Sequence, residues 1–247
     1  MGAAVLSARA ALRSGLGLLT VHLPECGYTI LQSAVPEAMC SVDESIKFVS
    51  NLPDLSPYRA IAAGPGLGTG EHTHKVLEQL FSEYNNPVVL DADALNTLSA
   101  HPDLWQALPK NSILTPHPGE FERLVATWRK EPCGLMNSIE RLALQRTMAE
   151  QHGVLIVLKD AVTSIALPDG RMYYNTTGNP GMATGGSGDV LTGIMLGLLT
   201  QGYSPEDAAL ISVFYHGKAG DDAAHHLGEN QVIASDIIRH LRINPIK

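Results

Sequence analysis

The residues best suited to chemistry lie in Asn179-Pro180-Gly181-Met182-Ala183-Thr184-Gly185-Gly186-Ser187-Gly188-Asp189. This glycine-rich turn runs straight into a segment whose apolar residues (Val190, Leu191, Ile194, Met195, Leu198, Leu199) recur at helical spacing. A helix N-terminus offers N–H groups without intrahelical acceptors and a partial positive charge, so such a turn suits an anion such as phosphate. Asp189, in the first turn, can be a favourable helix-start acid. With glycines before it clearing space for a substrate, it can also take a proton from a hydroxyl. Gly193 and Gly197, four apart, let this helix pack closely on a neighbour.

Three more stretches follow strand-like runs, where open α/β sheets bind ligands. Gly64-Pro65-Gly66-Leu67-Gly68-Thr69-Gly70 has four glycines in seven residues, which allow either close approach to a ligand or a tight turn. It is not a dinucleotide fingerprint, because Thr69 or Glu71 stands at the sixth position; nor is it a phosphate loop, because Gly217-Lys218 is followed by Ala219. Asp91-Ala92-Asp93 puts two carboxylates at a strand end, to bind a metal or a hydroxyl, or to cap the next helix. In Thr115-Pro116-His117-Pro118-Gly119-Glu120 two prolines stiffen a loop that holds His117 beside Glu120.

The elements that must position these residues alternate. Short apolar runs at 18–23, 60–63, 88–90, 113–114 and 154–158 read as buried strands. Helical spacing covers 3–14, 72–84, 120–128, 138–152, 187–200, 205–227 and 235–241. Alternation of this kind predicts a parallel sheet with helices on both faces. Segments 164–167 and 172–175 flank Pro168-Asp169-Gly170, which predicts a late hairpin and an antiparallel edge. Residues 50–57 read as a surface loop, and the 247 residues as one domain.

Composition excludes several classes. Apolar residues make up 45% and charged residues 17%, an ordinary globular balance. With 17 basic and 25 acidic residues the net charge is −8, which disfavours nucleic acid and anionic membranes as partners. Three cysteines, Cys26, Cys40 and Cys133, form no CxxC pair, which fits a reducing compartment. No apolar run approaches the ~18 residues of a membrane span, and no basic start precedes an apolar block. A cytoplasmic protein is expected.

Taken together, GAAVLSARAALRSGLGLLTV at 2–21, GPGLG at 64–68, DADAL at 91–95, TPHPGEF at 115–121 and NPGMATGGSGDVLTG at 179–193 resemble the NAD(P)H-hydrate dehydratase family. The Gly186-Ser187-Gly188-Asp189 run resembles the GxGD signature of the ribokinase-like superfamily. The resemblance implies a three-layer α/β/α fold with a mostly parallel central sheet. It also implies a lyase that returns hydrated NADH or NADPH to its normal form, in two steps: phosphorylation of the ring hydroxyl by ADP or ATP, then loss of phosphate. By resemblance Asp189 is the base. Lys159, Asp160, Ala161, Val162 and Thr163, with Gly185, Gly186, Ser187 and Gly188, line the nucleotide site. Ala3, Gly66, Gly68, His117 and Asp189 contact the hydrated dinucleotide, and Glu120 organises Mg2+. Relatives of this kind form homo-oligomers, often tetramers, and are often the C-terminal half of a fusion with an epimerase for the same substrate.

Two departures stand out. Asp160 occupies a position where the family has glycine, and a carboxylate there repels phosphate unless it points away. The family also begins with a strand and a glycine-rich turn ahead of the helix that starts here at Gly2. The expectation is therefore a sheet short of its first strand, with an open edge, Met1 being either an internal methionine or the start of a truncated chain. The competing readings are a small-molecule kinase of the same superfamily, acting on a vitamin precursor or sugar, and a nucleotide-binding module without turnover. A nicotinamide-dependent oxidoreductase is disfavoured by the missing fingerprint.

Overall fold

The computed structural model describes residues 1–131 and 136–244; Cys133 lies outside them. In chain order the elements are α1 (Gly2–Arg13), β1 (Thr20–Leu23), α2 (Tyr28–Ala34), β2 (Met39–Val42), β3 (Ile61–Ala63), α3 (Glu71–Glu83), β4 (Val88–Leu90), α4 (Ala92–Ala100), α5 (Leu104–Ala107) and β5 (Ile113–Leu114). Then follow α6 (Pro118–Arg129), α7 (Ser138–His152), β6 (Leu155–Leu158), β7 (Ser164–Ala166), β8 (Met172–Tyr174), α8 (Ser187–Thr200), α9 (Pro205–Leu227) and α10 (Ala234–His240).

The central sheet runs β3-β4-β5-β6-β7-β8. Strands β3 to β6 are parallel and β7 and β8 antiparallel, the edge hairpin that Pro168-Asp169-Gly170 predicts. Period-two alternation assigns its two faces. Val88, Leu90, Leu114, Ile156 and Leu158 pack on α3, α4, α6 and α7 through Leu77, Leu80, Leu95, Leu98, Phe121, Leu124 and Met148. Val89, Ile113, Leu155 and Val157 pack on α8, α9 and α10 through Val190, Ile194, Met195, Val213 and Ile237. The result is the three-layer α/β/α arrangement, the strands being apolar because both faces are covered.

Strands β1 and β2 pair with each other in parallel and form a separate two-stranded sheet with its own small core of Ala8, Ala11, Leu16, Leu19, Leu23, Leu31 and Val35. Among the described residues, β1 has no partner but β2 and β3 none but β4. A cavity of about 800 Å3 is lined by residues of both, Thr20, Val21 and His22 on one side and Ile61, Ala62 and Ala63 on the other.

The elements differ from the sequence expectation in α2, β2, α4 and α5, which the apolar pattern does not announce. The first strand begins at Thr20, leaving Leu18 79% exposed.

Candidate active site

Because β3, β4, β5 and β6 are parallel, the segments that follow them emerge at one edge of the sheet. Backbone hydrogen bonds extend the ladder beyond the strands and hold these segments in register. Asp91 N–H donates to Ala63 O at 3.1 Å, Thr115 N–H to Leu90 O at 3.0 Å and Lys159 N–H to Pro116 O at 2.9 Å. Parallel pairing thus gathers the Gly64–Gly70, Asp91, His117 and Lys159 regions, which are distant in sequence.

The glycine-rich turn joins them at the start of α8. Gly186 is its N-cap residue with φ 91°, a left-handed conformation that favours glycine. Behind the turn, His216 of α9 donates its Nε2 proton to Ser187 O at 3.0 Å. Burial lowers the His216 pKa to about 4, so the ring is neutral at pH 7 and serves as a fixed donor. From α1, Ser7 Oγ donates to Asp189 O at 2.9 Å. The first turn of α8 is therefore braced from two sides, and its Asp189 carboxyl lies within electrostatic reach of Asp91, Lys159 and Asp93. Burial, and next the charge of Asp91, raise the Asp189 pKa to about 6. That value suits a group that must accept a proton near neutral pH.

Lys159 Nζ donates to Asp91 Oδ1 at 2.7 Å, and a Cβ built on Gly188 would lie 3.1 Å from the same ammonium. The cation thus stands at the GSGD turn. Asp160 points elsewhere: Arg141 Nη1 donates to its Oδ2 at 2.7 Å and Ala161 N–H to its Oδ1 at 2.8 Å. The carboxylate that would repel phosphate is tied to a cation on α7. Ala161 and Val162 are exposed and Thr163 half-buried, leaving one side of this segment open. Gly185 is likewise exposed, with nothing within 4 Å of a Cβ built on it.

On the other side, Ala3 of α1 meets the glycine loop, where a Cβ built on Gly66 would lie 3.7 Å from the Ala3 Cβ. Gly68 N–H donates to Asp93 Oδ2 at 2.8 Å, tying the loop to α4. His117 caps α6: its Nδ1 accepts from Gly119 N–H and Glu120 N–H, and Glu120 Oε2 accepts from His117 N–H at 2.8 Å. Both side chains thus stabilise the loop that presents them, while the His117 ring remains half exposed.

Asp91 settles one question that spacing left open. It occupies the N-cap position of α4 without a side-chain cap, and its carboxylate turns to Lys159 and Thr192. Sequence reasoning did not single out Thr192, His216 or Arg141. A threonine or histidine within a helix carries no local signal, and only the packing of α7, α8 and α9 gives these three their partners.

Among the described residues no helix is long and apolar enough to cross a membrane. The family model for NAD(P)H-hydrate dehydratase matches residues 1–242. The chain is 38% identical over 248 residues to the bifunctional NAD(P)H-hydrate repair enzyme of Moorella thermoacetica, covering 97% of this chain and 46% of that protein. It is 36% identical to the ADP-dependent (S)-NAD(P)H-hydrate dehydratase of Bacillus subtilis, covering 89% of this chain and 75% of that one. A crystal structure of the ADP/ATP-dependent NAD(P)H-hydrate dehydratase from Bacillus subtilis, co-crystallised with ATP and Mg2+, superposes with a TM-score of 0.78 at 32% identity, covering 97% of this chain and 82% of that one. The chain spans about half the length of the bifunctional relatives it matches. By this match and by its ribokinase-like fold, the chain belongs to the NAD(P)H-hydrate dehydratase family.

Proposed function

We propose that this chain dehydrates hydrated NADH or NADPH at the expense of ADP or ATP. The observation that carries the reading is Asp189, half-buried at the N-terminus of α8 with its pKa near 6 and Lys159 at the adjoining glycine. Asp189 takes the proton of the ring hydroxyl as that oxygen attacks the terminal phosphorus. The new O–P bond forms while the bridging P–O bond breaks, releasing AMP or ADP. The first-turn N–H groups of α8 and the Lys159 ammonium face the negative charge on the transferring phosphoryl oxygens. Phosphate then departs with the C–O bonding pair, pushed by the ring nitrogen, and loss of a neighbouring ring proton restores the dihydropyridine.

In this reading residues 159–163 and 185–188 line the nucleotide, and Ala3, Gly66, Gly68 and His117 line the dinucleotide, supported by the approach of Ala3 to the loop at Gly66. Mg2+ is held mainly by phosphates and water and needs one or two carboxylate contacts. Glu120 fits as one such hard donor, because among the described residues its Oε1 accepts no hydrogen bond, with the His117 Nε2 3.4 Å away. Bound there, the ion supplies neutralisation of phosphate charge. Residues 1–247 as one domain in a cytoplasmic homo-oligomer belong to the same reading.

The test combines protein, hydrated NADH or NADPH, Mg2+ and either ADP or ATP. The expected outcome is return of the dihydronicotinamide absorbance with stoichiometric phosphate. Asp189→Asn should lower kcat by about 10²–10⁴-fold with nucleotide binding retained. A stable phosphorylated product without phosphate release would instead identify a small-molecule kinase, and nucleotide binding without turnover a binding module.

A further inference from the structure

Asp91 has an arrangement that the catalytic scheme above does not use. It is 2% exposed, yet both of its oxygens are engaged: Oδ1 accepts from Lys159 Nζ at 2.7 Å and Oδ2 from Thr192 Oγ1 at 2.8 Å. These partners belong to the end of β6 and to α8, so one carboxylate joins three elements. Ala92, the next residue, has φ 48°, in the left-handed region that alanine rarely adopts. An aspartate at the start of a helix ordinarily caps it; this one gives up the cap and turns into the site.

The contact extends to the catalytic turn. A Cβ built on Gly188 would lie 3.1 Å from Lys159 Nζ and 3.6 Å from Asp91 Oδ2. The ion pair therefore lies directly against the residue that precedes Asp189. We propose that Asp91 is a positioning residue for phosphoryl transfer: bound to Thr192 through one oxygen, it holds the Lys159 ammonium with the other, fixing that cation at Gly188 beside the base. This inference rests on the proposed function.

The physical reason lies in lysine itself. Its ammonium is a point charge on a flexible four-carbon stem, and unanchored it samples many positions. Asp91 engages one of its three donors and selects one position, leaving the others for phosphoryl oxygens. The same carboxylate is a fixed negative charge near Asp189 and favours the protonated form there. The other charges acting on Asp189 are Asp93, which works in the same direction, and Lys159 and the Met1 amino group, which oppose it.

The test compares wild type, Asp91→Asn, Thr192→Val and Thr192→Ser, each checked for folding by circular dichroism. With Asp91→Asn, kcat should fall about 10²-fold, as expected for a misplaced catalytic group, without a rise in the nucleotide KM. The acid limb of its kcat/KM profile should also move to lower pH, because a like charge beside Asp189 is gone. Thr192→Val should lose about tenfold in kcat, and Thr192→Ser, which keeps the hydroxyl, should restore it. A merely structural role would lower thermal stability and leave the acid limb in place. A folded Asp91→Asn enzyme with kcat close to wild type and an unmoved acid limb overturns the proposal. Should Asp91→Asn fail to fold, Thr192→Val with unchanged kcat does the same.

Turnover by the wild type tests the proposed function separately. If the wild type is inactive, the carboxyl titration of Asp189 is read directly by 13C NMR, identified through Asp189→Asn. A lower midpoint in Asp91→Asn supports the coupling of the two carboxylates, and an unmoved midpoint overturns it.

Discussion

At Asp189 two physical effects oppose each other. A helix N-terminus favours the ionised acid by about 0.3–1 kcal/mol at an exposed site, less than the ~1.4 kcal/mol that one pKa unit represents. Burial and the neighbouring Asp91 act the other way and prevail, lifting the group from 3.8 to about 6. Activity that depends on the ionised form should therefore rise through about pH 6, measured as kcat/KM against pH. The effect on stability has the opposite sign. Between the unfolded value and about 6, the folded protein holds a proton that the unfolded chain has released. Asp189 thus disfavours folding above pH 6, and this penalty disappears as the pH falls towards 4. Asp189→Asn should be more stable than wild type at pH 8, the difference vanishing near pH 4, by urea unfolding across that range. Equal stability at pH 8 would mean that the carboxylate is not held out of solvent. Asp160 shows how one partner changes a residue's meaning: its carboxylate is neutralised by Arg141 of α7.

At the scale of elements, the site depends on the contact between α1 and α8. A Cβ built on Gly193 would run into Ser7 O and lie 2.8 Å from the Ala10 Cβ, and one on Gly197 would lie 2.6 Å from the Ser14 Cβ. The two helices therefore approach along a strip with no side chains on α8, which brings Ser7 to the Asp189 carbonyl. Gly193→Ala gains at most about 1 kcal/mol of helix propensity and incurs an overpacking cost of about 1–3 kcal/mol. It should therefore destabilise the protein, by up to about 2 kcal/mol in urea unfolding, and lower kcat through the displaced turn. A rise in stability would show that the strip has room to spare. The close packing was legible from Gly193 and Gly197 alone, but the identity of the partner was not. Likewise β2 escaped the apolar pattern because its four residues, Met39–Val42, show neither alternation nor a β-branched run.

For the molecule as a whole, the two sheets differ in support. The six-stranded sheet is covered on both faces, whereas among the described residues β1 and β2 pair only with each other, over a small core and beside a cavity of about 800 Å3. An isolated pair of strands is marginally stable, and elements with few buried neighbours open first. Hydrogen exchange should therefore be faster at Thr20–Leu23 and Met39–Val42 than at Val88–Leu90 and Leu155–Leu158. Equal protection in both sheets would show that they unfold as one unit.

What the sequence by itself determined is local. Buried parallel strands read as apolar runs, the late hairpin as Pro-Asp-Gly, and the turn into α8 as glycines before an acid, because each signal lies within a few residues of its structural consequence. The family followed from several such motifs in order. Tertiary structure alone decided what those residues meet. The pairing of Asp91 with Lys159 spans 68 positions and that of Asp91 with Thr192 spans 101. No spacing rule reaches so far, and the strand ends come together only through parallel pairing. The chemistry that those pairings set, a carboxyl kept near pH 6 and a cation fixed beside it, depends on burial and distance, which exist only once the layers have packed.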